Sequence, residues 1–128
     1  MKRLYTGIIG IVLTGIAAVT LAAVLNVSWQ NATTNMDGST IPATGTGSIQ
    51  STRVEWGSCV SGAFGTLAGS VTVNGTVITT PTPNLAPGTY CFRAVHVNTY
   101  GIESDPSTVV QKSVQAPKPN PPSNLTVN

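Results

Sequence analysis

Along much of the chain apolar and polar residues alternate with a period of two, in short runs. Thr52, Val54 and Trp56 alternate with Arg53, Glu55 and Gly57, which predicts a strand with one buried face. Ala23 to Trp29 reads as a strand, and so do Ser70 to Val73, Thr76 to Thr80, Thr89 to Asn98 and Thr108 to Val114. Asn74-Gly75 supplies the positive φ angles of a two-residue hairpin turn, which predicts that the strands on its two sides pair with each other. Pro81, Pro83 and Pro87-Gly88 punctuate the pattern before the Thr89 strand, and Asn98 to Gly101 reads as a turn after it. Asn31 to Gly47, with Asp37-Gly38, Gly45 and Gly47, reads as a long loop. Past the first residues no window of helical length shows a 3.6 period. Short strands bounded by Gly, Pro or Asn predict an all-β, antiparallel sandwich.

The two ends differ in texture from this middle. Met1-Lys2-Arg3 is followed by an uncharged run from Leu4 to Leu25, the shape of a secretory signal, with small residues around Ala22 and Ala23 for cleavage. The same run is long enough to stay uncut as a membrane anchor with its positive end inside, although Gly7, Gly10 and Gly15 interrupt it. Cleavage is preferred, because the residues just past Ala23 already read as a strand. At the other end Ala116 to Pro122 holds four prolines and reads as an extended linker. The expected organisation is therefore a signal peptide or anchor over 1–22, a sandwich over 23–115, and a Pro-rich tail over 116–128.

Charge narrows the function classes. The formal net charge is +2, but Lys2 and Arg3 lie in the leader, and the remaining Lys and Arg balance the Asp and Glu. With 8% charged residues there is no basic stripe to neutralise phosphates, so no nucleic-acid partner is expected. Cys59 and Cys91 are an even count in an exported chain and read as one disulfide, with two buried free thiols as the alternative if the chain stays inside. A metal site is not expected, since there is one His and no CxxC or carboxylate cluster, and nothing implies a cofactor.

Catalysis would have to use His96, Asp37, Glu55, Glu103 or Asp105. His96 is in phase with Tyr90 and Phe92 on a strand and has neither a nucleophile elbow nor a paired carboxylate. Glu103 and Asp105 form a bare pair in a turn, short of the oxygen ligands that calcium needs. The Asn-x-Ser/Thr sequons at Asn26, Asn31, Asn74 and Asn124 matter only in a eukaryotic secretory host. No enzymatic activity is expected.

Leu85-Ala-Pro-Gly-Thr-Tyr-Cys-Phe-Arg-Ala-Val-His-Val-Asn98, followed by Gly101-Ile-Glu-Ser-Asp-Pro-Ser107, resembles the E–F corner, strand F and F–G turn of fibronectin type III domains, a branch of the immunoglobulin-like sandwiches. Val27-Ser-Trp29 with Asp37-Gly38-Ser39 is similar to strand B and its loop, and Arg53-Val-Glu-Trp56 to strand C. Small fibronectin-III-like proteins of bacteria and tailed phages share this texture. The resemblance implies a core of Trp29, Val54, Trp56, Leu85, Tyr90 and Phe92, with Tyr90 as the corner tyrosine whose hydroxyl bonds nearby backbone. It also makes strands C and F antiparallel neighbours. Alternation then puts Cys59 and Cys91 on one outer face at one height, where a bridge can close unless a bulge near Gly57 reverses the parity.

One departure from the family is informative. Its first strand, Pro-x-x-Leu-x-Val, has no room before Ala23, and similar text stands at the end as Asn120-Pro-Pro-Ser-Asn-Leu-Thr-Val127. Leu125 and Val127 are therefore strand-exchange candidates, completing the sandwich in cis or joining a neighbour's open edge, with a disordered tail as the alternative. Loops carry function on such scaffolds, so Asn98, Tyr100 and Ile102, with Asp37 and Ser39 of the long loop, are the candidate binding residues. The expected function is a non-catalytic, exported binding or adhesion module, recognising a protein or carbohydrate at a cell or virion surface. The alternative is a structural subunit, a pilin-like fibre or virion decoration protein, that keeps its apolar N-terminal segment and is membrane-anchored or fibre-associated.

Overall fold

The computed structural model describes residues 23–128, so the signal or anchor reading of 1–22 lies outside the described residues. Six strands follow in order: β1 (Asn26–Ser28), β2 (Ile49–Val60), β3 (Ala63–Asn74), β4 (Thr79–Pro81), β5 (Gly88–Asn98) and β6 (Val110–Val114). All pairings are antiparallel, in a two-stranded sheet β1-β4 and a four-stranded sheet β3-β2-β5-β6. The core lies between them, which makes the molecule sandwich-like. Val54, Trp56, Phe92 and Val114 of the larger sheet meet Leu85, and Ala23, Leu25, Val27 and Trp29 pack against that cluster from the smaller one.

The period-two pattern explains this core. Thr52, Val54 and Trp56 of β2 all face inward and are buried. Across the ladder Val54 is paired with Ala94, and Trp56 with Phe92 on one side and Gly69 on the other. Directly opposed residues share a face, so these side chains stack into one layer. The Trp56 indole lies over Gly69, where a Cβ would stand 2.6 Å from its ring. Ala23, Leu25, Val27 and Trp29 alternate inward in the same way, and the pairing runs past the ends of β1: Ala23 N–H donates to Leu85 O and Trp29 N–H to Ile78 O.

The hairpin expected at Asn74-Gly75 does not form. β3 pairs with β2, whereas β4 pairs with β1 in the other sheet. Gly75 donates its N–H to Gln50 O, and Asn74 Oδ1 accepts from Thr76 N–H, so this segment is a crossover between sheets. The two-residue hairpin turn is at Ser61-Gly62, with φ of 52° and 80° and Val60 opposite Ala63. Two positive φ values are the geometry that matches strand twist. Ser61 and Gly62 turn β2 directly onto β3, which starts earlier than its pattern suggests.

Cys59 and Cys91 form a disulfide with Cα atoms 5.3 Å apart. The β2–β3 ladder does shift register around Gly57, but Gly57 stays opposite Cys91 in the β2–β5 ladder, so the parity toward β5 survives the bulge. The outer face is not bare: Cys91 is fully buried, and Val95 and Glu55 are nearly so. Phe64, opposite Cys59, reaches over the sheet until the Arg93 guanidinium stacks on its ring at 3.9 Å.

Candidate functional site

At the pole where β5 ends, two loops are tied together. Asn98 builds the short loop: its N–H donates to Ile102 O, its side-chain Oδ1 accepts from the N–H groups of Tyr100 and Ile102, and its carbonyl accepts from Gly101. Gly101, at φ 79°, takes the left-handed turn that a side chain would strain. Tyr100 and Ile102 are thereby held outward, 67% and 63% exposed. The long loop reaches the same place through Thr99, whose hydroxyl accepts from Gly47 N–H at 2.6 Å and whose N–H donates to Ser48 O. Gly47 lies beside both Pro42 and the Tyr100 ring.

The rest of the long loop is anchored from within. Trp29 Nε1 donates to Asn31 Oδ1, and Asn31 Nδ2 donates to Gly75 O. Its tip is a small turn in which Asp37 Oδ1 accepts from both the N–H and the hydroxyl of Ser39, and Asn35 Nδ2 donates to Ser39 Oγ. Those hydrogen bonds hold the Asp37 carboxyl below its ordinary range. The structure thus brings Tyr100 to the Pro42–Gly47 segment, with Ile102 on the same Asn98 turn. Asp37 and Ser39 are committed to their own turn, and the Asn98 carboxamide oxygen to its backbone, so these three shape the pole rather than offer free groups.

His96 lies below this pole and is half-buried. Its Nε2 accepts from Ala32 N–H at 3.4 Å, which leaves the proton on Nδ1, and Nδ1 donates to Thr52 Oγ1 at 2.9 Å. Burial lowers the imidazole pKa. Thr52 has no exposed surface, so no substrate reaches that hydroxyl. The pair ties the loop to the sheet.

The outer face carries a charge cluster. Burial alone pushes the Glu55 carboxyl up, yet the Arg53 and Arg93 guanidiniums, donating to its two oxygens at 2.8 and 2.7 Å, hold it below its ordinary value. Arg53 also grips Glu103 through both terminal nitrogens at 3.0 and 3.1 Å, and this raises the Arg53 pKa. Glu103 is therefore a partner in a structural ion cluster and not a free turn carboxylate. The alternation already put Arg53, Glu55 and Arg93 on one face, so their meeting was accessible to sequence reasoning. No group of three His, Cys, Asp or Glu able to hold a metal exists among the described residues.

A further feature was not expected as a cavity. An open groove of about 560 Å³ runs between β1 and β6, lined by Leu25, Val27, Trp29, Phe92, Ala94 and Val110 among others. The tail from Gln115 onward is exposed, Leu125 at 86% and Val127 at 91%. No family model, curated protein or solved structure matches this chain.

Proposed function

We propose that the chain is a non-catalytic binding module of fibronectin type III, immunoglobulin-like architecture, exported and recognising a protein or glycan at a cell or virion surface through its loop pole. One observation carries this reading: two loops from different parts of the chain are cross-tied at Thr99 and hold Tyr100 and Ile102 out on a rigid, disulfide-linked scaffold. Exposed aromatic and aliphatic side chains on a preorganised turn are what a protein or sugar face stacks against at low entropic cost. The strand order β3-β2-β5-β6 beside β1-β4, and the Tyr90 hydroxyl donating to Ala86 O at 2.7 Å, support the family reading. The bacterial or phage origin rests on the resemblance of the Leu85–Ser107 text.

The test is retention on a glycan array and on intact bacterial cells, with Tyr100→Ala beside the natural chain. A defined set of glycans or cells is retained, and the substitution lowers affinity at least about tenfold without moving the melting temperature. Equal retention by both proteins, or none by either, overturns the proposal. The second reading, a structural subunit, is favoured by a separate observation, the edge of β1 that no other strand of the described residues pairs with.

A further inference from the structure

Among the described residues β1 is paired along one side only. In an antiparallel ladder alternate residues direct their N–H and C=O to opposite sides. Ala23 exchanges backbone bonds with Leu85, Leu25 O accepts from Thr82 N–H while its N–H donates to Thr82 Oγ1, and Trp29 N–H donates to Ile78 O, so the odd-numbered positions serve the β4 side. The backbone groups of Val24, Asn26 and Ser28 point the other way, toward the groove, where no strand lies among the described residues. Beneath that edge the core is open at its flank, since Leu25, Val27 and Trp29 are only partly buried. An unpaired edge beside apolar side chains is a liability that proteins cover.

We infer that the groove is filled by the tail of a second copy of this chain, residues Asn120–Val127, added as an antiparallel strand to β1; this rests on the structural-subunit reading and not on loop recognition. The chemistry of the tail matches the site by parity. Leu125 and Val127 alternate with Asn124, Thr126 and Asn128, so one face is apolar and the other polar. With Leu125 and Val127 inward over Val27 and Leu25, the residues that hydrogen-bond to Ser28 and Asn26 are Asn124 and Thr126, which keep their N–H groups. Pro121 and Pro122 fall before the ladder, where they end it. Asn124, at φ 58° in the free tail, takes extended backbone on docking.

Geometry favours a neighbour over the chain's own groove. β6 ends opposite Gly88, at the pole away from the loops. To run antiparallel to β1 in cis, the tail must first climb to the level of Trp29, which lines the same hollow as His96. His96 is eight residues along β5 from Gly88, a rise of about 26 Å at 3.3 Å per residue. The spacer Gln115 to Ser123 spans about 33 Å fully extended, enough for that rise, but its four prolines stiffen it, and the tail stands free of its own groove with Leu125 86% and Val127 91% exposed. A copy stacked head to tail below receives the strand from its own loop pole with no such return. The contact is heterologous and open, so it propagates into filaments.

The test uses the full chain with Cys59–Cys91 intact. Sedimentation velocity across a concentration series shows growing oligomers. Leu125→Asp combined with Val127→Asp weakens association at least roughly a hundredfold, what burying one Leu and one Val contributes, and leaves the melt of the monomer unchanged because both side chains are free in it. Mixing a Ser28→Cys chain with an Asn124→Cys chain gives a cross-linked dimer under mild oxidation. A chain carrying both cysteines that closes only on itself overturns the proposal in favour of cis folding, and so does a concentration-independent monomer. Tyr100-dependent retention is read separately, so failure of one proposal leaves the other standing.

Discussion

Removing the Cys59–Cys91 bridge is the perturbation whose magnitude follows most directly from the structure. The cystine joins residues 32 apart in sequence, and closing a loop of that length in the unfolded chain removes entropy equivalent to about 3.7 kcal/mol at 25 °C. Against a stability of about 5–15 kcal/mol for a domain of this size, that is a large share. Cys59→Ala with Cys91→Ala leaves no polar atom in the buried Cys91 site, so the entropic contribution dominates the difference. Scanning calorimetry should show the melting temperature falling by about 15–30 °C. Urea unfolding should give a steeper dependence on denaturant, because the uncrosslinked chain expands further. A drop under about 5 °C would refute the reasoning. It would mean that the unfolded chain already holds β2 near β5, so that the cross-link removes little freedom.

Two further outcomes can be checked with the same instruments. A Cβ at Gly57 would meet the Thr66 carbonyl carbon at 2.9 Å and Leu67 Cα at 3.1 Å, all backbone, so Gly57→Ala should cost about 1–3 kcal/mol. Gly62→Ala, at φ 80° with open space around it, should cost only the local strain of about 1 kcal/mol, and thermal melts giving the opposite order would contradict the packing. Acid should destabilise the fold in two stages. His96 has a lowered folded-state pKa, so its contribution is present above the unfolded value near 6.5 and is lost as pH falls below it. Glu55 and Glu103, also lowered, lose theirs as pH falls below about 4.5, and His96→Gln should abolish the first stage alone in melts between pH 8 and 3.

Strand identity was legible wherever one face is buried against the core. Thr52 to Trp56 and Thr89 to Asn98 are read correctly because their alternation is enforced by a single neighbouring layer. The turn chemistry misled at Asn74-Gly75, since a dipeptide that favours a tight turn does not state which strands are close enough to use it. Gly75 N–H is taken by Gln50, and the less emphatic Ser61-Gly62 makes the hairpin. Parity also specified the face of Cys91 and Val95 but not its burial, nor that Phe64, opposite Cys59 past the bulge, would stack under Arg93 there. The groove beside β1 was foreshadowed only by a strand missing from the expected order. A cavity made by the lack of a neighbour leaves no local pattern in the residues that line it.

The placement of charge constrains what the proposed loop-pole site can contact. Of the charged groups in the described residues, Arg53, Glu55, Arg93 and Glu103 are consumed in one cluster on the outer face of β2 and β5. Lys112 lines the groove and Lys118 lies in the tail, Asp105 lines the hollow with Trp29 and His96, and the exposed Asp37 carboxylate is hydrogen-bonded to Ser39 in its own turn. The face around Tyr100 and Ile102 is left with Pro42, hydroxyls and amides, so under the proposed recognition its contacts are stacking and neutral hydrogen bonds. Such contacts are indifferent to the screening that weakens exposed ion pairs over about 10 Å at 0.1 M salt. Affinity at the pole should therefore change less than about twofold between 50 and 500 mM NaCl, whereas an electrostatically steered partner loses affinity steeply over that range. A tenfold loss in an equilibrium titration would show that the partner reads charge, and would move the binding surface away from Tyr100 toward the lysines of the groove and tail.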